Sequence, residues 1–293
     1  FSKKKYDDNY FIADDYRDRD DFTLEEIVDA YSISEGQLRE MYDYSRGLGI
    51  ECISTPFSKK EVDFLVDELD VPFIKIASMD LNNYPFLEYI AKKDKPMVLS
   101  TGLSELYEID KAIHTIESTG NDKLVILHCV AIYPTPDENV NLNNIDTLKK
   151  LYPYPIGFSD HTLGYSIPLA SVAKGVCLIE KHFTLDKDME GWDHKVSVTP
   201  DEMRIIVEES KRISKAMGSS RIISTEDDIR KTEFRRSIVT TRNMKSGEII
   251  KSSDLDAKRP GTGIPPDDLR YVTGRTLKND VLEDEILNWE DLV

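Results

Sequence analysis

The stretch PIGFSDHTLGYSIPLASVAKGVCLIEKHFT, residues 155–184, decides the fold class that this sequence predicts. It contains two short apolar runs, 155–158 and 176–179, and each run is followed by a polar cluster that includes a histidine. The segment between the runs suits a crossover helix. We therefore expect the two runs to form neighbouring parallel strands.

Side chains alternate between the two faces of a strand. This alternation places Ser159 and His161 on one face of the first strand, and it places Glu180, His182 and Thr184 on one face of the second. Because adjacent strands lie about 4.8 Å apart, the two imidazoles are within reach of one metal ion. The alternative is that each histidine is a hydrogen-bonded structural residue. Their equivalent positions beside acidic residues bring a shared site level with this alternative, and both interpretations stay open.

Apolar runs followed by amphipathic helix patterns recur through most of the chain. The runs that predict strands are 50–54, 73–77, 96–100, 123–128, 155–158 and 176–179. Helices are predicted at 24–31, 35–46, 60–68, 84–93, 105–118 and 200–217, and the first two begin with capping-box sequences. Because the runs are apolar throughout, they favour a parallel sheet that is covered on both faces.

Polar clusters follow every predicted strand, as on the catalytic face of a TIM barrel. A doubly wound sheet gives the same alternation, but it usually carries a glycine-rich phosphate loop, and neither GxGxxG nor GxxxxGK[ST] occurs here. We therefore predict an α/β fold, a (β/α)8 TIM barrel of which about six strands are present. Since two strands are missing, we expect an N-terminal portion of about 50 residues to precede this sequence.

The chain changes character after Gly218. We assign residues 1–218 to the barrel domain, 219–233 to a polar linker and 234–293 to a small β-rich domain. Short β-rich segments separated by glycine and proline turns support the last assignment. At its size we expect this domain to have little core of its own.

The net charge of −17 argues against binding to nucleic acid or to an anionic membrane, since phosphate backbones need clustered Lys and Arg. No apolar run is long enough to span a membrane. An anionic small substrate would need local cations, for which Lys75, Lys181 and Arg259 are candidates.

The cysteines indicate the cellular compartment in which the protein is expected to work. There are three, without CxxC spacing, and each lies in an apolar run: Cys52, Cys129 and Cys177. We expect them to be buried thiols of a cytoplasmic protein.

Several motifs occur in a fixed order along the chain. They are Ser54-Thr55-Pro56-Phe57, Lys75-Ile76-Ala77-Ser78, Leu99-Ser100-Thr101-Gly102, His128-Cys129 with Tyr133-Pro134-Thr135-Pro136, Gly157-Phe158-Ser159-Asp160-His161-Thr162, and Glu180-Lys181-His182-Phe183-Thr184. Together they resemble the sialic acid synthase family, whose enzymes condense phosphoenolpyruvate with an N-acylated amino sugar to make nonulosonic acids. The tail around Lys258-Arg259-Pro260-Gly261-Thr262-Gly263 resembles the family's antifreeze-like (SAF) domain.

The resemblance implies a divalent metal, Mn²⁺ or Mg²⁺, held by His161 and His182. Manganese accepts mixed imidazole and oxygen ligands, and Zn²⁺ fits the same residues. The groups implied to hold the phosphate and carboxylate of phosphoenolpyruvate are Lys75, Ser78, Ser100 and Ser159. An ammonium group with several hydroxyl donors suits such a trianion.

The resemblance also places Thr55, Tyr133 and Asp193 in the active site. It implies that Arg259 reaches the acyl group of the amino sugar from the partner subunit, in a homodimer with exchanged C-terminal domains. Asp80 stands where the family usually has Glu, so its reach is shorter.

The implied reaction joins C3 of phosphoenolpyruvate to the sugar aldehyde. Water, activated with the help of Asp80, Glu180 or Asp193, then adds to C2, and phosphate leaves by C–O cleavage beside Lys75. Two other functions stay open, namely a metal-dependent aldolase on the same barrel and an inactive relative that acts in dimerisation. The sugar is also open among N-acetylmannosamine, its 6-phosphate and the precursors of legionaminic or pseudaminic acid.

Overall fold

The computed structural model describes residues 32–189 and 193–293, so the helix predicted at 24–31 lies outside the described residues. The chain divides into two units, 1–218 and 219–293. Each unit has a hydrophobic core of its own.

The first unit contains a five-stranded parallel sheet whose strands follow one another in sequence order. The strands are β1 (Ile74–Ile76), β2 (Met97–Ser100), β3 (Leu124–Cys129), β4 (Ile156–Asp160) and β5 (Ile179–Lys181). Each strand pairs in parallel with the next. A parallel sheet with this sequential order is part of a TIM-barrel wall, which confirms the predicted fold class.

Helices precede the sheet and alternate with its strands. They are α1 (Glu35–Gly47), α2 (Lys59–Asp63, continued by a π-helical turn, Phe64–Glu68), α3 (Tyr84–Ala91), α4 (Leu106–Glu117), α5 (Asp137–Val140), α6 (Asn143–Leu151), α7 (Ser166–Ala173) and α8 (Pro200–Met217). The capping box predicted for α1 is present, because the Gln37 N–H donates to Ser34 Oγ and the Ser34 N–H donates to Gln37 Oε1.

Alternation along the strands sorts the residues of the sheet into two sets. One set is apolar and packs against the helices: Ile74, Ile76, Met97, Leu99, Leu124, Ile126 and Ile156. Burial of each such side chain contributes about 1.5–3 kcal/mol relative to exposure. The other set, which includes Lys75 and Ser100, faces the concave side of the sheet.

The sheet is strongly curved. Strands β1 and β5 lie at its two edges, and four strand spacings of about 4.8 Å would separate them by roughly 19 Å in a flat sheet. Nevertheless Lys75 Nζ of β1 lies 3.5 Å from Glu180 Oε2 of β5. The edges therefore approach each other across the concave side, as in a partial barrel, and enclose the polar side chains between them.

Two expectations about the strands and cysteines of the first unit are wrong. Residues 50–54 were expected to form a strand, but they pair with none of the strands in the described residues, and Ile50 is exposed. Apolar composition alone does not make a strand, because a strand also needs a neighbour that satisfies its backbone groups. Cys177 is exposed rather than buried, whereas Cys129 is buried and Cys52 is half-buried.

The second unit contains a two-stranded antiparallel sheet, formed by β6 (Ser237–Thr240) and β7 (Leu255–Lys258). Its helices are α9 (Asp228–Phe234), which lies mostly within the segment predicted as a linker, and α10 (Leu269–Val272). Its core consists of Ile238, Met244, Ile250, Ile264, Val272, Leu277, Val281, Leu287 and Leu292. The expectation of little core was therefore wrong. Among the described residues of both units, no helix is long and apolar enough to cross a membrane.

Candidate active site

The concave side of β4 and β5 carries the first pair of site residues. Ser159 and Glu180 are register partners on these strands, and the Ser159 hydroxyl donates to Glu180 Oε1 at 2.7 Å. Strand alternation alone brings these side chains together, as the sequence predicts. The bond leaves the second carboxylate oxygen of Glu180 directed towards Lys75.

Lys75 forms a cationic centre on the same side of the sheet. Lys75 is only 7% exposed to solvent. Its ammonium group donates to Ser100 Oγ at 2.8 Å and to the Ile76 carbonyl at 3.2 Å, while Glu180 Oε2 lies at 3.5 Å. An ammonium group has three donors, so one donor is free for an anion that displaces Glu180. These contacts form one connected set of polar side chains between β1 and β5, which consists of Ser100, Lys75, Glu180 and Ser159.

His161 and His182 follow β4 and β5, and their ring centroids lie 5.2 Å apart. Nδ1 of His161 lies 2.8 Å from the Val130 carbonyl oxygen. Because a carbonyl only accepts, we assign the proton to Nδ1, which leaves the lone pair of Nε2 free to bind a metal. Burial lowers the pKa of His161, and this effect is larger than the opposite effect of the hydrogen bond to the Val130 carbonyl. The neighbouring His182 lowers the pKa further. The lowered pKa favours the neutral ring that binds metals.

Asp193 and Tyr133 complete the surroundings of the histidines. Asp193 Oδ2 lies 3.6 Å from His182 Nδ1. The Tyr133 ring lies 4.1 Å from the His161 ring and 5.7 Å from the His182 ring, measured between centroids. Partial burial, with smaller contributions from nearby acidic groups, raises the pKa of Tyr133 to about 12. Its hydroxyl therefore stays protonated at neutral pH and can donate to a ligand.

The donor set is compatible with a catalytic divalent ion. Across residues 32–189 and 193–293, no group of three or more His, Cys, Asp or Glu residues is arranged to hold a metal. The paired imidazoles of His161 and His182 are candidate donors in this region. Such a set leaves positions for water and substrate oxygens, which suits Mn²⁺ or Mg²⁺ better than a closed structural zinc site.

Ser78 lies at the same rim in a 3₁₀ turn, Ser78–Asp80, after β1. Its hydroxyl oxygen accepts from the Gly102 N–H at 3.1 Å and lies 3.5 Å from Cys129 Sγ. A Cβ atom at Gly102 would lie 2.7 Å from this hydroxyl oxygen. The absence of a side chain at Gly102 thus allows the ends of β1, β2 and β3 to meet around Ser78.

The described contacts do not connect every predicted site residue to this cluster. Asp80 Oδ1 accepts from Asn83 Nδ2 at 3.1 Å, and no contact within the described residues joins Asp80 to the histidines. Thr55 is half-buried and makes no side-chain hydrogen bond to the described residues. Arg259 belongs to the second unit, where its guanidinium lies over the Phe234 ring, 4.9 Å from the centroid.

Lys181, expected as a cation for an anionic substrate, has a different place. Its side chain and that of Asp160 are 1% and 0% exposed, and they form an ion pair at 2.7 Å. This expectation was wrong because Lys181 alternates with Glu180 and His182 and points to the opposite side of β5. The Val130 carbonyl, which orients His161, could not be predicted from the sequence, because a backbone group leaves no signature in residue types.

Comparison with known proteins gives consistent matches. Residues 1–222 match the NeuB family and residues 235–293 match the SAF domain. The chain is 45% identical over 270 residues to an uncharacterised protein, MJ1065, of Methanocaldococcus jannaschii, which covers 92% of this chain and 80% of that protein. It is 36% identical over 275 residues to N,N'-diacetyllegionaminic acid synthase of Legionella pneumophila, which covers 92% of this chain and 77% of that protein. A solved structure of N-acetylneuraminic acid (sialic acid) synthetase from Leptospira borgpetersenii, in complex with citrate, has a TM-score of 0.65 and 33% identity, and the match covers 68% of this chain and 70% of that one.

Proposed function

This chain belongs to the NeuB family of nonulosonic acid synthases and ends in a SAF domain, and from this premise we propose that it condenses phosphoenolpyruvate with an N-acylated amino sugar. It is a phosphoenolpyruvate-dependent synthase of that family. The products would be a nonulosonic acid and inorganic phosphate. The observation that carries the proposal is the convergence of a buried lysine, two serines and a carboxylate beside two paired imidazoles.

The first role is to bind phosphoenolpyruvate. Lys75 would hold its anionic groups with the donor that now faces Glu180, and Ser78, Ser100 and Ser159 would add hydroxyl donors. Charge-assisted hydrogen bonds of this kind are shorter and stronger than neutral ones. Because Lys75 is buried, its attraction for an anion is less screened by water than that of a surface lysine.

The second role is to promote carbon–carbon bond formation and phosphate departure. C3 of phosphoenolpyruvate would attack the aldehyde carbon, and a water oxygen would add to C2 before the C2–O bond to phosphate breaks. Once an anion displaces Glu180 from Lys75, the Glu180 carboxylate would stay on the concave side beside the substrate and would accept a proton from that water. Lys75 would stabilise the departing phosphate. Further proposed contributors are Asp80 and Asp193, which would help to activate the water, and Thr55, which would line the active site.

His161 and His182 would hold the divalent ion, Mn²⁺ or Mg²⁺. When bound, this ion would supply Lewis-acid polarisation of the sugar aldehyde. The Val130 carbonyl would keep the His161 ring in the orientation and tautomer that binding requires. The protonated Tyr133 hydroxyl would donate to an oxygen of the sugar.

Arg259 would take part from outside the first unit. The family resemblance supports a cytoplasmic homodimer in which the partner subunit's Arg259 reaches the acyl group of the sugar. Its guanidinium is exposed and has no carboxylate partner among the described residues, so it is available for such a contact.

The test is an assay of phosphate release from phosphoenolpyruvate with Mn²⁺ and a panel of amino sugars. The panel contains N-acetylmannosamine, its 6-phosphate and the diamino sugars that lead to legionaminic and pseudaminic acid. We expect release that depends on one class of sugar and that is lost in Lys75→Met. An aldolase would release no phosphate from phosphoenolpyruvate. Release that did not require a sugar, or that persisted in Lys75→Met, would contradict the proposal.

A further inference from the structure

A buried ion pair lies on the side of β4 and β5 opposite the candidate active site. Asp160 and Lys181 are register partners at the ends of these strands. Lys181 Nζ lies 2.7 Å from Asp160 Oδ2. Each of the two residues is a chain neighbour of one of the paired histidines, His161 and His182.

The pair also bonds to the chain just beyond His161. Lys181 Nζ donates to the Thr162 carbonyl oxygen. Asp160 Oδ1 accepts from the Thr162 N–H at 3.0 Å, and Asp160 Oδ2 accepts from the Thr162 hydroxyl at 3.2 Å. These bonds fix the backbone on both sides of His161. Because the ammonium group belongs to Lys181, which precedes His182, the bonds also connect this segment to the end of β5.

Stability alone is a poor explanation for this arrangement. A buried ion pair gains little over apolar side chains of similar size, because both charges must be removed from water. An apolar pair would fill the same space between β4 and β5. It would not hold the N–H and the carbonyl of Thr162, which are the contacts that fix the turn carrying His161.

We propose that Asp160 and Lys181 are positioning residues, which set the separation and orientation of the His161 and His182 rings for one divalent ion. The inference rests on the metal site of the proposed function and extends it to residues that touch neither the ion nor the substrate. The two histidines follow different strands, so their separation depends on what locks the end of β4 to the end of β5. The Asp160–Lys181–Thr162 cluster connects the two strand ends directly beside His161 and His182.

The experiment measures the affinity of the full chain for Mn²⁺ alone, by the loss of the free-ion signal in electron paramagnetic resonance. Thermal unfolding is recorded in parallel for each variant. The main variant is Asp160→Leu combined with Lys181→Met, which removes both charges together and so leaves neither one buried without its partner. Thr162→Val is a milder variant that removes only the hydroxyl bond to Asp160.

Lys93→Met is the matched control for destabilisation. Lys93 Nζ pairs with Asp63 and Asp67 at 2.7 Å each, and neither partner belongs to the site. Its loss removes a lysine ion pair without touching the turn after β4.

We expect the double variant to stay folded and to bind Mn²⁺ about 10- to 100-fold more weakly, the range for residues that orient metal ligands. Thr162→Val should shift the affinity in the same direction by a smaller factor, and Lys93→Met should leave it unchanged. Wild-type affinity in a folded double variant would overturn the positioning role while leaving the proposed function intact. If the wild-type chain itself bound no Mn²⁺, the metal site of the proposed function would be wrong, and this inference would fail with it.

Discussion

Replacing Gly157 with alanine should destabilise the first unit, because this position on β4 has no room for a side chain. A Cβ atom would lie 2.4 Å from Leu127 Cδ2 and 2.9 Å from the Leu178 carbonyl oxygen. Leu127 is fully buried, and the Leu178 carbonyl accepts a backbone bond from the Phe158 N–H. Neither neighbour can move freely, so the strands must separate. Overpacking of this kind costs about 1–3 kcal/mol.

The expected change can be measured by calorimetry on the full chain. Each kcal/mol shifts the unfolding midpoint by about 2–4 °C for a domain of this size, so the midpoint of the first unit should fall by about 2–12 °C. Calorimetry also distinguishes the two units if they unfold in separate transitions. Since the strain arises in β4, the strand that leads to His161, Gly157→Ala should also weaken Mn²⁺ binding.

Gly36→Ala is the matched control, because it makes the same chemical change in α1. A Cβ atom there would meet nothing closer than Ser34 Oγ at 3.9 Å. Alanine is the better helix former, so this variant should be neutral or gain up to about 1 kcal/mol. Equal midpoints for Gly157→Ala and the wild type would refute the reasoning, because they would show that β4 can accept a side chain on its concave face.

Three further predictions concern the site and its surroundings. His161→Ala or His182→Ala should abolish Mn²⁺-dependent phosphate release while circular dichroism stays that of the wild type; turnover that survived in either variant would contradict the metal assignment. Arg259→Ala should raise the KM for the sugar more than that for phosphoenolpyruvate, and equal effects in steady-state kinetics would argue against its role. Burial lowers the pKa of His128, so the unfolded chain binds more protons below about pH 6.5, and stability should fall as the pH drops through that value towards the lower folded-state pKa. His128→Gln should show a weaker fall in denaturant titrations between about pH 7 and 5, and a fall as steep as that of the wild type would contradict the argument.

The parts of the site that follow from strand alternation could be predicted from the sequence. Ser159 with Glu180 and His161 with His182 lie on the predicted face, because a period of two is a local property of the chain. The same rule, applied to Asp160 and Lys181, would have placed them together on the other face. Lys181 therefore lies on the face away from the substrate, where it pairs with Asp160.

Other features depend on contacts that no local pattern encodes. The segment 50–54 has the composition of a strand, yet pairing depends on a neighbour that residue types do not reveal. The curvature that brings Lys75 to Glu180 is a property of the whole sheet. The proton assignment at His161 depends on a carbonyl in the turn after β3, at Val130, which any residue type would supply.

The two faces of β4 and β5 impose different requirements on the same short segments. On the concave face, Ser159, Glu180 and the histidines must leave bonding capacity free, because a substrate and an ion have to use it. On the other face, Asp160 and Lys181 are buried and bond to each other and to Thr162, which makes that side rigid. Reactive groups that stay open can hold a fixed geometry only if something else restrains their backbone. The residues with no place in the chemistry are therefore the ones that make the separation of the two imidazoles reproducible, and substitutions there should alter metal affinity before they alter the fold.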